Sequence, residues 1–185
     1  GYIKIADQLR STSVQAVKRL QSMGIEVMML TGDNYATATA IARQVGITNY
    51  RAEVLPQDKA AEIERIRNSG KFIAMVGDGI NDAPALAAAD VSFAIGSGSD
   101  IAIETADITL VRNDLMSVAD AVSLSKKTLD KIRQNLFFAF IYNVLGIPLA
   151  AVGLLNPVIA AAAMAMSSVS VVANSLLLKK WRPNS

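Results

Sequence analysis

Short apolar runs alternate with amphipathic stretches over roughly the first 120 residues of the chain. The run Ile25–Leu30 is almost continuously apolar, which predicts a strand of a parallel sheet that is buried on both faces. The other runs of strand type are Tyr2–Ala6, Tyr50–Val54, Phe72–Val76, Val91–Ile95 and Ile108–Val111. Because such strands alternate with helical patterns of about 10–15 residues, we predict an α/β domain with right-handed crossovers.

The helices between these strands carry their own start and stop signals. We predict helices from Ser11 to about Met23, from Tyr35 to Val45 and from Pro56 to Gly70. Ser11 or Thr12 has the hydroxyl that would cap the first helix, and Gly46 would end the second. A glycine-rich turn, 96–100, separates the last two strands.

The pattern changes in the last third of the chain. From Leu136 to Leu178 there is no Asp, Glu, Lys or Arg, about twice the roughly 20 residues that span a bilayer core. We predict two membrane spans joined by a turn at Leu154–Pro157, with a buried pair of core helices as the alternative. Basic residues flank the hairpin and place both of its ends in the cytoplasm: Lys126, Lys127, Lys131 and Arg133 before it, and Lys179, Lys180 and Arg182 after it.

These patterns divide the chain into four parts. They are an α/β domain at 1–120, a basic linker helix at 121–135, a transmembrane hairpin at 136–178 and a cytoplasmic tail at 179–185. The chain begins with Gly1 inside a strand-like run, with no signal peptide in view, so we interpret it as a fragment.

Composition and charge limit the partners and the kinds of catalytic or metal site that the chain could have. The net charge is only +2, and basic and aromatic residues do not interleave, so we expect no nucleic-acid partner. The sequence has no Cys and no His, which excludes thiolate or imidazole metal ligands, a Ser-His-Asp triad and a disulfide framework within these residues.

The segment GDGINDAPAL, which begins at Gly77, follows an apolar strand directly. Gly77 and Gly79 have no Cβ, so the backbone there can turn sharply and approach a ligand closely. Asp78 and Asp82 can then converge on one hard cation at the carboxyl end of a strand, which predicts a Mg²⁺ site. The alternative is an ordinary turn in which Asn81 or Asp82 only caps the next helix.

The predicted hairpin contains polar and sulfur-bearing side chains that must find partners or line a pathway. Tyr142 and Asn143 lie in the first span, and Met164, Ser167 and Ser168 lie in the second. A thioether suits copper(I), whereas amide and hydroxyl oxygens compete poorly for it. The alternative is that these side chains only hold the two helices together.

Taken together, Thr31-Gly32-Asp33, Pro56-Gln-Asp-Lys59 and GDGINDAPAL resemble the phosphorylation domain of P-type ATPases. The hairpin resembles the last two membrane helices of the heavy-metal subgroup, and Tyr142-Asn143 with Met164-x-x-Ser167-Ser168 resembles its copper(I) pattern. The resemblance implies a haloacid-dehalogenase-like, Rossmannoid parallel sheet. It also implies ATP-driven phosphorylation of an aspartate, followed by hydrolysis coupled to Cu⁺ export.

The resemblance also assigns roles to individual residues. Around the phosphoryl group, Asp78 would bind Mg²⁺ with support from Asp82, and Lys59 would offset negative charge. Hydrogen bonds to the phosphoryl group would come from Thr31, Gly32 and Asn81, with Gly77 and Gly79 lining the cofactor site. In the membrane, Tyr142, Asn143, Met164 and Ser168 would bind the transported copper.

Several parts of the family pattern are missing from this sequence: the Asp-Lys-Thr-Gly-Thr phosphate acceptor, the nucleotide-binding domain, the actuator loop and the cysteine-bearing membrane helix. We therefore expect no ATPase activity from this polypeptide alone. The implied partners are the remainder of the same ATPase, the lipid of a bacterial plasma membrane and a copper chaperone. A catalytically inactive membrane-anchored regulatory module, an ATPase for another heavy metal and a soluble sugar-phosphate phosphatase remain as alternatives.

Overall fold

A computed structural model describes residues 9–96, 100–153 and 156–183. Its contacts divide the chain into two units, Gly1–Ala119 and Asp120–Ser185. The predicted strand Tyr2–Ala6, part of the glycine-rich turn and the Leu154-Leu155 part of the predicted hairpin turn lie outside the described residues.

The first unit alternates helices and strands, which confirms the predicted α/β order. Its helices are α1 (Ser11–Ser22), α2 (Tyr35–Val45), α3 (Pro56–Asn68), α4 (Ala83–Ala88) and α5 (Asp100–Thr105), with a 3₁₀ turn at Ile80–Asp82. Its strands are β1 (Met28–Leu30), β2 (Asn49–Arg51), β3 (Ala74–Gly77), β4 (Val91–Ile95) and β5 (Ile108–Leu110).

Every strand pairing among the described residues is parallel, but the strands form two sheets and not one. β1 pairs with β2, with Met28 opposite Asn49. In the other sheet β4 lies between β3 and β5, so that Phe93 is opposite both Val76 and Ile108. Within the described residues, β1 and β3 therefore each have one unpaired edge.

Several local predictions were wrong. The strand expected at Tyr50–Val54 instead spans Asn49–Arg51. The run Ile25–Leu30 is not a strand buried on both faces, because only Met28–Leu30 is extended and it is half-buried beside an unpaired edge. Phe72 is 78% exposed and precedes β3, which begins at Ala74. The first helix has Arg10 at its N-cap without a side-chain cap, since Ser11 is already helical.

One apolar cluster holds α3, α4 and α5 against β3 of the three-stranded sheet. Its buried members are Ile63, Met75, Ala85, Leu86 and Ala102. Leu30 of β1 also packs against this cluster. The loops that follow β1 and β3 are therefore anchored to the same core.

The second unit contains most of a long helix and the whole of another. The helix α6 spans Met116–Ala151 across the unit boundary, and α7 spans Pro157–Leu176 before a 3₁₀ turn at Leu177–Lys180. The helix α6 and the stretch Ala160–Lys180, which combines most of α7 with the 3₁₀ turn, are long and apolar enough to cross a membrane, and their apolar windows are only 0% and 6% buried. This exposure fits membrane insertion and does not fit the alternative of a buried core pair.

Candidate functional site

The predicted phosphoryl-binding residues lie at the carboxyl ends of two parallel strands. Thr31 directly follows β1, and Asp78 directly follows β3. The carboxyl ends of parallel strands are where open α/β sheets bind their ligands. The first candidate site is therefore the loop after each of these strands, together with the start of α3.

Lys59 and Asp82 are joined by a direct ion pair. The ammonium nitrogen of Lys59 lies 2.7 Å from Asp82 Oδ1, and the side chains are only 17% and 14% exposed. Pro56 begins α3 and places Lys59 in its first turn, and α3 packs against α4. The lysine side chain is thereby directed to the edge at which β3 ends.

Asp82 also contacts the backbone of its own loop. The Asp78 amide donates to Asp82 Oδ2 across 3.4 Å, a long hydrogen bond. Both Asp82 oxygens thus have protein partners, and its side chain does not cap α4 as the alternative interpretation would have it.

The position of Asp82 leaves no room for a side chain at Gly77. A Cβ on Gly77 would lie 2.7 Å from the Cβ of Asp82, closer than real Cβ atoms approach. At Gly79 the closest atom to an added Cβ would be Asp82 Oδ2 at 3.8 Å, an ordinary contact. The first glycine therefore lets the turn fold back on Asp82, whereas the second is not under this constraint.

Asp78 and Asp82 differ in how well they could bind a magnesium ion. The Asp78 side chain is exposed and accepts no hydrogen bond from any described residue, so both of its carboxylate oxygens are available. Asp82 is engaged with Lys59 and with the Asp78 amide. The part of the chain that the structure describes holds no group of three His, Cys, Asp or Glu residues that could bind a metal. Asp78 thus fits as one ligand of a hard cation whose other ligands lie elsewhere.

The loop after β1 is held by its own side chains. Thr31 Oγ1 donates to Asp33 Oδ2 across 2.9 Å and accepts from the Asp33 amide across 3.1 Å. The Thr31 carbonyl accepts from the Val54 amide across 3.0 Å. No hydrogen bond among the described residues joins Thr31 or Gly32 to the Lys59–Asp82 pair, and exposed Asn81 makes no side-chain hydrogen bond there either.

Sequence reasoning missed a bond between β4 and the start of β5. Asp107 Oδ2 accepts from both the amide and the hydroxyl of Ser92, each across 2.8 Å. These hydrogen bonds hold the pKa of Asp107 below its ordinary value. Ser92 is 2% exposed, so the pair serves the fold; the sequence offered no signal beyond an aspartate before a strand.

A second candidate site lies between α6 and α7. These helices border a cavity of about 400 Å³, and all four residues predicted to bind copper line it: Tyr142, Asn143, Met164 and Ser168. The rest of the lining is Gly146, Ile147, Ala150, Ala160, Ala163 and Ser167. The cavity therefore combines small apolar walls with one thioether and a few oxygen atoms.

The hydrogen bonds of this lining decide which atoms remain for a ligand. Asn143 Nδ2 donates to the Ala139 carbonyl across 2.8 Å, which leaves the amide oxygen available. Ser168 Oγ lies 3.4 Å from the Met164 carbonyl, a weak contact. Met164 is 70% exposed and lines the cavity, so a ligand could reach its side chain.

Comparison with protein-family models finds one family twice. Two models, each described as haloacid dehalogenase-like hydrolase, match residues 1–90 and 59–122. Together they cover the strands and helices of the first unit.

Longer similarities extend through the hairpin. A copper-exporting P-type ATPase of Bacillus subtilis (strain 168) is 60% identical over 97% of this chain and 22% of its own length. One from Staphylococcus aureus (strain JH9) is 57% identical over 98% of this chain and 23% of its own length. The crystal structure of a zinc-transporting PIB-type ATPase in the E2.Pi state matches with a TM-score of 0.84 and 38% identity, covering 93% of this chain and 28% of that one. The chain thus spans less than a quarter of the length of these curated relatives.

Proposed function

Because the chain belongs to the P-type ATPase family, with a haloacid-dehalogenase-like domain followed by two apolar helices, we propose that it forms part of a copper(I)-exporting ATPase. The observation that carries this proposal is the cavity between α6 and α7, which gathers Tyr142, Asn143, Met164 and Ser168. In the same chain, Lys59, Asp78 and Asp82 meet at a strand end suited to phosphoryl chemistry.

Phosphoryl transfer depends mainly on positioning and on neutralising the charge of the phosphoryl oxygens. Lys59, held by Asp82 at 2.7 Å, would supply a fixed positive charge. Thr31 would turn its hydroxyl from Asp33 to a phosphoryl oxygen, and the Gly32 amide would donate to another. The phosphorylated aspartate and most of the ATP pocket would come from the part of the relatives' length that this chain does not span.

Magnesium would be held at Asp78, whose carboxylate has no partner among the described residues. When bound there, it would neutralise charge on the phosphoryl group. Asp82 would act indirectly, by keeping Lys59 and the Asp78 backbone in place.

Two of the four unpaired strand edges among the described residues, those of β1 and β3, suggest where the phosphorylated segment would sit. β1 and β3 each have a free edge within the described residues, and both strands pack on one core through Leu30 and Met75. One further parallel strand along these edges would join the two sheets. Its carboxyl end would then lie beside Thr31 and Asp78, where an aspartate could be phosphorylated.

Copper(I) is the transported ion that the cavity favours. A thioether is a soft ligand suited to copper(I). Zinc, the cargo named for one structural relative, prefers Cys, His and carboxylate ligands, and none of these residue types lines the cavity. The lysines and arginines at both ends of the hairpin support a cytoplasmic location for those ends, and in a bacterial cell a copper chaperone could deliver the ion there.

Copper-dependent phosphorylation of the full-length protein tests this proposal. Wild-type protein in lipid vesicles should form an acid-stable phosphoenzyme from ATP when copper(I) is added, and zinc should not replace copper. Phosphorylation that zinc stimulates and copper does not would assign the protein to another metal. A full-length protein that is never phosphorylated would support the regulatory-module alternative.

A further inference from the structure

A chain of four polar side chains joins α6 to α7. Lys131 Nζ donates to Asn174 Oδ1 across 2.7 Å, and Asn174 Nδ2 donates to Asn135 Oδ1 across 2.8 Å. Asn135 Nδ2 then donates to Ser175 Oγ across 2.7 Å. We name these four residues the polar latch. Each of its three hydrogen bonds crosses from one helix to the other.

The polar latch lies on the same faces of α6 and α7 as the cavity. Asn135 precedes Tyr142 by seven residues, and Ser175 follows Ser168 by seven. Seven residues are about two helical turns, or about 10.5 Å along the axis. Two residues seven apart therefore lie on nearly the same face of the helix, offset by only about 20° around its axis. Half-buried positions of α6 follow one another at three or four residues along this face, through Lys131, Asn135, Ala139, Tyr142 and Gly146.

The bonding pattern makes the polar latch sensitive to small movements. Asn135 and Asn174 each use both their amide oxygen and their amide nitrogen, so neither helix can slide or rotate without losing several bonds. Within the described residues, the hydrogen bonds of the cavity lining do not cross between the helices, because Asn143 and Ser168 each bond to a carbonyl of their own helix. The polar latch therefore fixes the position of α6 relative to α7, which the residues of the cavity wall do not fix by themselves.

We propose that the polar latch positions the ligand atoms of the cavity by setting the register and rotation of α6 against α7. It acts on Asn143 of one helix and on Met164 and Ser168 of the other without touching the ion. This inference rests on the proposed copper(I) site. Groups that orient metal ligands typically contribute about 10–100-fold to metal affinity, and we expect the polar latch to contribute in the same range.

Helix spacing can be measured separately from copper. The chain has no Cys, so spin labels can be attached at two introduced cysteines, Leu145→Cys on α6 and Val169→Cys on α7. Both positions are exposed and lie outside the cavity lining and the polar latch. In lipid nanodiscs, Asn174→Ala should shift or broaden the distance distribution between the labels. The double exchange Asn135→Ser with Ser175→Asn, made with Asn174 intact, keeps a donor and an acceptor facing each other and should leave the distribution as in wild type.

The matched control is Ser170→Ala. The Ser170 hydroxyl donates to the Met166 carbonyl of its own helix across 2.7 Å, so its loss should leave the distance distribution unchanged. An Asn174→Ala distribution identical to wild type would overturn the proposal, because the polar latch would not set the spacing.

The second arm measures copper(I) affinity of the full-length protein by competition with a chelator. Asn174→Ala should bind copper(I) about tenfold more weakly or worse, whereas the double exchange and Ser170→Ala should each match wild type. A changed distance with unchanged affinity would overturn the positioning role. If wild type binds no copper(I) at all, the proposed function fails, and with it the positioning role; the distance arm then still decides whether the polar latch sets the helix register.

Discussion

The ammonium group of Lys59 lies 2.7 Å from the carboxylate of Asp82, although the two residues are 23 positions apart. The pair joins the first turn of α3 to the turn after β3. An aspartate that the sequence assigns to metal binding thus holds a lysine in place. A substitution at either residue should therefore disturb the position of the other.

Removing either partner of this pair should reduce stability and phosphorylation. Lys59→Met and Asp82→Asn should each lower the free energy of unfolding by about 1.5–3 kcal/mol, the range for hydrogen bonds to charged groups. In the full-length protein both should also form less phosphoenzyme, because Lys59 is absent in one and no longer held in the other. Phosphoenzyme yield and thermal unfolding measure the two effects.

Asp58→Asn is the control for this pair, since Asp58 is an exposed acid of the same helical turn. It should leave phosphoenzyme yield unchanged. If Asp82→Asn is phosphorylated as well as wild type, the ion pair has no role in the chemistry.

Alanine at Gly77 should be far more damaging than alanine at Gly79. The added Cβ would lie 2.7 Å from Asp82 Cβ in the first case, and no closer than 3.8 Å to any atom outside its chain neighbours in the second. We expect Gly77→Ala to cost about 1–3 kcal/mol through overpacking, and Gly79→Ala less than about 1 kcal/mol. Thermal unfolding of the chain in detergent, followed by circular dichroism, compares them. Equal effects would show that the turn does not depend on this close approach.

Asp78→Asn should raise the magnesium concentration needed for phosphorylation. The exposed Asp78 carboxylate accepts no hydrogen bond from the described residues, so its replacement by an amide removes the negative charge and one ligand oxygen without breaking a structural contact. The half-saturating Mg²⁺ concentration for phosphoenzyme formation should increase while thermal stability is retained. An unchanged magnesium requirement would exclude Asp78 as the ligand.

The Ser92–Asp107 bond should make stability depend on pH in the acid range. The hydrogen bonds from Ser92 lower the pKa of Asp107 in the folded chain. Their stabilisation is therefore fully present above the unfolded pKa of about 4 and is lost as the pH falls through the folded pKa. Asp107→Asn should melt at a lower temperature than wild type at neutral pH, and the gap should narrow in acid. A gap that stays constant with pH would contradict this assignment.

Local sequence signals predicted most of the fold. The helix over Tyr35–Val45 was predicted to the residue, because its apolar spacing is regular and Gly46 adopts the left-handed conformation that ends it. β4 was predicted equally well. The ends of β1, β2 and β3 were not, because strand length depends on neighbouring strands, and each of these strands has an unpaired edge among the described residues.

In the candidate sites, too, relationships within one helix were predicted, whereas contacts between different elements were not. Spacing on one helix brought Met164 and Ser168 together, and the structure places both on the cavity with Asn143. The partner of Asp82 could not be found in this way, because Lys59 belongs to a different helix and only packing brings it near. The polar latch was missed for the same reason, since each of its bonds crosses between helices.

Copper transport by the full-length protein with one methionine changed tests the central claim most directly. Met164 lines the cavity, whereas Met166, two residues along the same helix, does not, and it is 56% exposed. ATP-driven copper(I) uptake into inside-out vesicles should be largely lost in Met164→Ala and retained in Met166→Ala. Uptake by Met164→Ala at the wild-type rate would contradict the assignment of this cavity as the copper site.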